Sequence, residues 1–203
     1  MVSYKPEGAS QGTFMLTLTP GDDLRPITEG SDWIFVLDIS GSMRGKYATL
    51  ADGVQRALGK MRINDRFRIV VFNDKAAELT QGYVSATPEN IQHYSQAILQ
   101  VQPGSGTDLY SGLKKGLSGI EADRTSSIVL VTDGVANVGE TKQRKFIDLI
   151  AKKDIRLFTF IMGNSANRPM LEALTKASNG FAVSISNSDD IVGKILEATS
   201  KVT

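Results

Sequence analysis

The chain has 203 residues, of which 41% are hydrophobic and 22% charged, the balance of a globular domain with a sizeable core. A net charge of +1 gives no electrostatic footprint for nucleic acid, and the lack of cysteine removes disulfides, thiolate metal sites and cysteine nucleophiles together. No apolar run approaches the roughly 20 residues of a membrane span, and the polar stretch from Met1 to Gly12 has no signal-peptide pattern.

Residues 13–19 alternate like a strand until Pro20, Gly21 and Pro26 interrupt, so residues 1–30 read as an N-terminal extension with one candidate extra strand. Trp33-Ile34-Phe35-Val36-Leu37 is apolar enough for a buried strand and leads into Asp38-Ile39-Ser40-Gly41-Ser42. Tyr47, Leu50, Val54, Ala57, Leu58 and Met61 recur at helical spacing. Phe67 to Phe72 is another buried strand, ending at Asn73-Asp74, and Glu78 to Val84 alternates as an edge strand does. Ile91, Tyr94, Ile98 and Val101 mark a second helix with Pro88 in its first turn, and Leu109, Leu113, Leu117 and Ile120 a third. Ser127 to Val131 and Arg156 to Met162 are further buried strands, and Phe181 to Ile185 a weaker one. Helices fall between them around Phe146–Ile150 and Met170–Ala177, the latter closed by Asn179-Gly180, and a last one carries Ile191, Ile195 and Leu196. Strand and helix alternate throughout. The fold class is therefore α/β: a doubly wound, mostly parallel sheet with one antiparallel edge strand and helices on both faces.

In such sheets ligands bind at the carboxyl ends of strands. Asp38 ends one strand, Asp133 follows another, and Gly104-Ser105-Gly106-Thr107 opens a helix between them. If the three loops converge, they supply five oxygen donors: Asp38, Ser40, Ser42, Thr107 and Asp133. Such hard donors suit Mg²⁺ or Mn²⁺ rather than zinc or copper. Singly, each has a plainer reading. Ser42 and Thr107 are good helix caps, and Asp133-Gly134 is a good turn. Asp108 suits the first turn of its helix; Asp32, Asn73 and Asp74 read as loop or turn residues, and His93 as a surface residue.

Catalytic readings find less support. An aspartate nucleophile for phosphoryl transfer needs an acid two residues on, where Ser40 stands. A Walker loop and a G-x-S-x-G elbow are both absent.

The five donors in this order resemble, residue by residue, the metal-ion-dependent adhesion site of von Willebrand factor type A domains. The resemblance covers about residues 31 to 200. From Phe14 through Gly45 the chain is most similar to domains of the inter-α-trypsin-inhibitor heavy-chain type and their bacterial relatives. One departure is Gly-Ser-Gly-Thr where Gly-Gly-Thr is common, which asks Ser105 to accept the geometry of that turn. The resemblance implies a Rossmann-like domain over residues 31–203, its metal held by Asp38, Ser40, Ser42, Thr107 and Asp133. It implies a non-enzymatic, adhesion-type module that binds Mg²⁺ or Mn²⁺, with Ca²⁺ a further option, and engages an Asp or Glu of a protein partner. An extracytoplasmic setting and a monomeric domain within a larger polypeptide are also implied, with no membrane insertion by this segment. In relatives the last helix can slide in concert with the metal site. The alternative is a structural or assembly domain whose metal serves folding only.

Overall fold

The computed structural model describes residues 2–8, 10–15, 30–121, 124–134, 136–163, 167–185 and 193. In chain order the elements are β1 (Val2–Tyr4), β2 (Thr13–Met15), β3 (Asp32–Asp38), α1 (Tyr47–Leu58), β4 (Arg66–Phe72), β5 (Ala76–Glu78) and β6 (Val84–Ser85). They continue with α2 (Pro88–Gln100), α3 (Leu109–Leu117), β7 (Ser126–Thr132), α4 (Gln143–Ile150), β8 (Arg156–Met162), α5 (Arg168–Ala177) and β9 (Phe181–Ile185).

The main sheet has the order β5-β4-β3-β7-β8-β9, and β3, β4, β7, β8 and β9 run parallel. The chain moves outward from β3 to β4 and later returns to β3's other side as β7, so the winding reverses between β3 and β7. In doubly wound sheets a crevice opens there, at the carboxyl ends of the strands. Register places Leu37 against Val131, so Asp38 and Thr132 emerge side by side and Asp133 one residue further on.

The central strands are buried on both faces, which explains their unbroken apolar runs. Trp33, Phe35 and Leu37 pack with Leu50, Val54 and Leu58 of α1 and Ile98 of α2. Ile34 and Val36 point the other way, toward Leu109 and Leu113 of α3, Phe146 of α4 and Leu171 of α5. The Tyr47 hydroxyl donates to the Ile98 carbonyl at 2.7 Å and ties α1 to α2. On α3, a Cβ at Gly112 would stand 2.7 Å from the Phe72 ring, and one at Gly116 2.7 Å from Val36. Glycine at these two positions lets α3 lie close to the sheet, and that sets the depth of the loop before it.

Several expectations need correction. The antiparallel edge is two short strands rather than one: β5 pairs with Val70–Phe72, and β6 with Arg66–Phe67. The turn between them takes Gly82 at φ 84°, where the alternating pattern suggested a continuous strand. Met61 lies past the end of α1, though it still packs on the core. Asp32 is not a loop residue but the first residue of β3, and it is fully buried. Arg66 grips it with Nε at 3.0 Å and Nη2 at 2.6 Å, and Arg124 adds Nε at 2.7 Å. The candidate strand near residue 13 pairs with β1, not with the main sheet. The last helix, with Ile191, Ile195 and Leu196, lies outside the described residues. No described helix is long and apolar enough to cross a membrane.

At the sheet edge, Arg68 forks onto Glu78 with Nε–Oε1 2.8 Å and Nη2–Oε2 3.1 Å and also donates to the Ser118 carbonyl. Burial pushes the Glu78 carboxyl up, but the Arg68 fork, its charge and the Gly82 N–H outweigh this, so it titrates below its ordinary 4.5. A depressed carboxyl stabilises the fold above the ordinary value and loses that contribution as pH falls through the folded one. Glu78→Gln is therefore expected to be less stable than wild type at neutral pH, with the deficit shrinking as pH drops below 4.5. Urea unfolding across that range checks this; a deficit independent of pH would contradict it.

Candidate metal centre

Asp38 ends β3 with its side chain fully buried. Its Oδ1 accepts the Ser40 N–H at 2.8 Å, and its Oδ2 accepts the Thr132 hydroxyl at 2.6 Å. Thr132 Oγ1 in turn accepts the Gly134 N–H at 2.9 Å, so the exits of β3 and β7 are clasped together. Burial raises the Asp38 pKa; the bonds from Thr132 and Ser40 oppose this, and the Asp133 charge adds to it. The net effect is upward. Two carboxylates lie within electrostatic reach of each other, an arrangement that favours a cation.

Ser40 is buried and extended, and a short 3₁₀ turn over Gly41–Met43 follows, anchored by the buried Met43. The hydroxyls of Ser40 and the exposed Ser42 stand 3.0 Å apart. The Gly104 N–H donates to the Ile39 carbonyl at 2.8 Å, which brings the loop before α3 onto the β3 exit.

Thr107 is buried, and three bonds stitch it to the loop after β7. Its N–H donates to Asn137 Oδ1 at 2.9 Å, and its carbonyl accepts the N–H groups of Asn137 and Val138 at 3.2 and 3.3 Å. The three loops thus meet, as the strand-end rule expects. The extra residue Ser105 is exposed, and Gly106 takes the left-handed turn at φ 75° in its place.

Asp133 is buried and divides its two oxygens. Oδ2 accepts Lys46 Nζ at 3.1 Å, while Oδ1 is buried with no hydrogen-bond partner among the described residues. A buried, unpartnered carboxylate oxygen is costly unless something positive meets it.

The plainer readings of two donors fail. Ser42 caps no helix: α1 has Lys46 at its N-cap and no side-chain cap bond. The cap of α3 is Asp108, not Thr107; its Oδ1 accepts the Ser111 N–H at 3.0 Å and its Oδ2 the Ser111 hydroxyl at 2.7 Å. His93 lies exposed on α2, against Tyr94. Sequence reasoning missed Lys46, Asn137 and the clasp made by Thr132. Of these, only Lys46 left a signal: a lysine where a helix start prefers Ser, Thr, Asp or Asn.

Among the described residues no group of three or more His, Cys, Asp or Glu gathers to hold a metal. The carboxylates of Asp38 and Asp133 and the hydroxyls of Ser40 and Ser42 lie on loops that meet here, with Asp133 Oδ1 unpartnered among the described residues. The set fits a hard divalent cation, for which uncharged hydroxyl oxygens are adequate ligands.

A family model described as von Willebrand factor type A domain matches residues 31–184. Human inter-alpha-trypsin inhibitor heavy chain H3 is 30% identical over 169 residues, covering 77% of this chain and 19% of its own length. The chain thus spans about a fifth of the length of the curated relatives it matches. Among solved structures, a von Willebrand factor type A protein from Catenulispora acidiphila superposes with a TM-score of 0.76 at 18% identity, covering 86% of this chain and 43% of its own. Proximal thread matrix protein 1 from the mussel byssus, solved with a zinc-occupied MIDAS motif, has a TM-score of 0.65 at 16% identity and covers 84% of this chain and 47% of its own.

The raised Asp38 carboxyl has a direct consequence. A folded-state pKa above the ordinary 3.8 means that the ionised form works against folding at neutral pH, and that stability is gained as pH falls. In chelator, wild type is expected to gain stability relative to Asp38→Asn as pH falls from neutral toward the ordinary 3.8. Calorimetry at both pH values checks this; a difference that does not change with pH would count against it.

Proposed function

Because the chain belongs to the von Willebrand factor type A domain family, we propose that it is a binding module whose bound divalent cation engages a carboxylate of a protein partner. Asp38, Ser40, Ser42, Thr107 and Asp133 hold the ion in this reading, and Mg²⁺ or Mn²⁺ is the preferred occupant, with Ca²⁺ next. The observation that carries it is the Asp133 Oδ1 atom, buried and, among the described residues, unpartnered, within electrostatic reach of buried Asp38. The ion supplies a positive centre with coordination positions that the protein leaves open. Ser40, Ser42 and Thr107 are neutral donors, and with Asp38 and Asp133 acting through bridging waters the ion keeps a positive face at its open position, which an Asp or Glu of a partner answers.

The reading is of a module and not an enzyme. Ser40 cannot donate a proton as a carboxylic acid does, and the chain's one histidine, His93, lies exposed on α2. Residues 31–203 form the domain, and residues 1–30 an extension that joins it to other parts of a larger, extracytoplasmic protein. The zinc in the mussel protein's motif makes Zn²⁺ a useful comparison ion, although the all-oxygen donor set favours harder cations.

An ion that binds only the folded state at ten times its Kd adds about 1.4 kcal/mol, a melting shift of roughly 3–6 °C for a domain of this size. Millimolar Mg²⁺ or Mn²⁺ is expected to give such a shift, and Asp38→Ala or Asp133→Ala to abolish it. No shift with Mg²⁺, Mn²⁺, Ca²⁺ or Zn²⁺ would sink the metal reading. Turnover of a phosphate ester lost in Asp38→Asn would overturn its non-enzymatic part, and partner binding that survives chelation would favour a purely structural metal.

A further inference from the structure

Lys46 has a place that the helix it precedes does not explain. It is the N-cap of α1, with φ −112° and ψ −14° and no capping bond from its side chain. A helix start prefers a small oxygen-bearing side chain and negative charge, so lysine serves neither need. Its side chain leads instead to the candidate metal centre. Nζ stands 3.1 Å from Asp133 Oδ2, across 87 residues of sequence, with the side chain 19% exposed. Gly163, at the end of β8 with φ 91°, provides the seat: a Cβ there would come within 3.1 Å of Nζ and 3.3 Å of Cε. The other two N–H bonds of Nζ have no acceptor among the described residues.

We propose that Lys46 sets the charge of the metal centre and serves as a second anchor for the incoming carboxylate. The inference rests on the metal-binding reading above and extends it. Asp38 and Asp133 alone would give the site a charge of −2, which a divalent cation cancels. With Lys46 held on Asp133 Oδ2, the loaded site keeps a net +1. Oδ1 stays free for the ion while Oδ2 is occupied by the ammonium. The ion is then held less tightly but attracts an anion more strongly. The spare N–H groups of Lys46, at the mouth of the site, accept the second oxygen of a carboxylate whose first oxygen meets the ion.

The two effects have opposite signs, and a merely structural lysine would not produce them. Lys46→Met, matched in length but uncharged, is expected to bind Mn²⁺ about tenfold more tightly than wild type by calorimetry, as removal of one nearby positive charge predicts. In the Mn²⁺-loaded proteins, acetate followed by water-proton relaxation is expected to bind the variant several-fold more weakly. Lys46→Arg keeps the charge and is expected to stay near wild type in Mn²⁺ affinity. If wild type binds no Mn²⁺, the metal reading falls and this inference with it. If wild type binds and Lys46→Met binds equally or more weakly, or if acetate affinity is unchanged, the role of Lys46 alone is overturned.

Discussion

Two carboxylates buried at the ends of adjacent parallel strands are the constraint around which the rest of the structure is arranged. Asp38 and Asp133 emerge where the sheet reverses its winding, and each is almost wholly removed from water. Like charges in such a place repel and lose hydration together. The fold answers with partial compensation: an N–H and a hydroxyl for Asp38, one ammonium for Asp133, and, among the described residues, nothing for Asp133 Oδ1. A domain selected for stability alone would place apolar or paired groups at these positions. Their presence in the core of the crevice is the physical argument for a cation.

The two ends of β3 make a natural control. Asp32 and Asp38 are the same residue type on the same strand, and both are fully buried. Asp32 meets the guanidinium groups of Arg66 and Arg124, and Glu121 accepts from Arg66 as well, so two carboxylates answer two cations. Among the described residues Asp38 meets only neutral donors. Buried charge that is fully paired locks the amino-terminal end of the sheet to the segments around Arg66 and Arg124. Buried charge left incompletely paired marks the carboxyl-terminal end as the place for a ligand. The distinction lies in the partners, not in burial, which is why burial of an acidic residue alone is a poor guide to function.

That contrast also explains what could be read from the sequence. Asp38, Ser40 and Ser42 are local in the chain, and their spacing survives into the 3₁₀ turn because Met43 is pulled into the core. Thr107 and Asp133 were legible because alternating strands and helices fix which end of each strand faces the crevice. The partners of Asp32 were not legible: Arg66 and Arg124 lie 34 and 92 residues away, and no local pattern announces them. Lys46 left only half a signal: a lysine is out of place at a helix start, but nothing local points to its partner 87 residues away. The divided edge strand escaped because alternation from Glu78 to Val84 is the same whether or not the chain turns at Gly82.

The loops that carry the donors are held by the scaffold rather than by one another's side chains. Thr107 is fixed through its backbone to Asn137 and Val138, and α3 behind it lies close to the sheet because Gly112 and Gly116 allow it. The Ser40–Ser42 turn is pinned by Met43 below and by the Gly104–Ile39 bond beside it. A site whose backbone is fixed in advance loses little conformational entropy when it takes an ion, so its affinity is governed by charge and donor type. Under those conditions one charged side chain at the rim has a large effect. Lys46 therefore has more influence on this crevice than its partial exposure or its single bond would suggest.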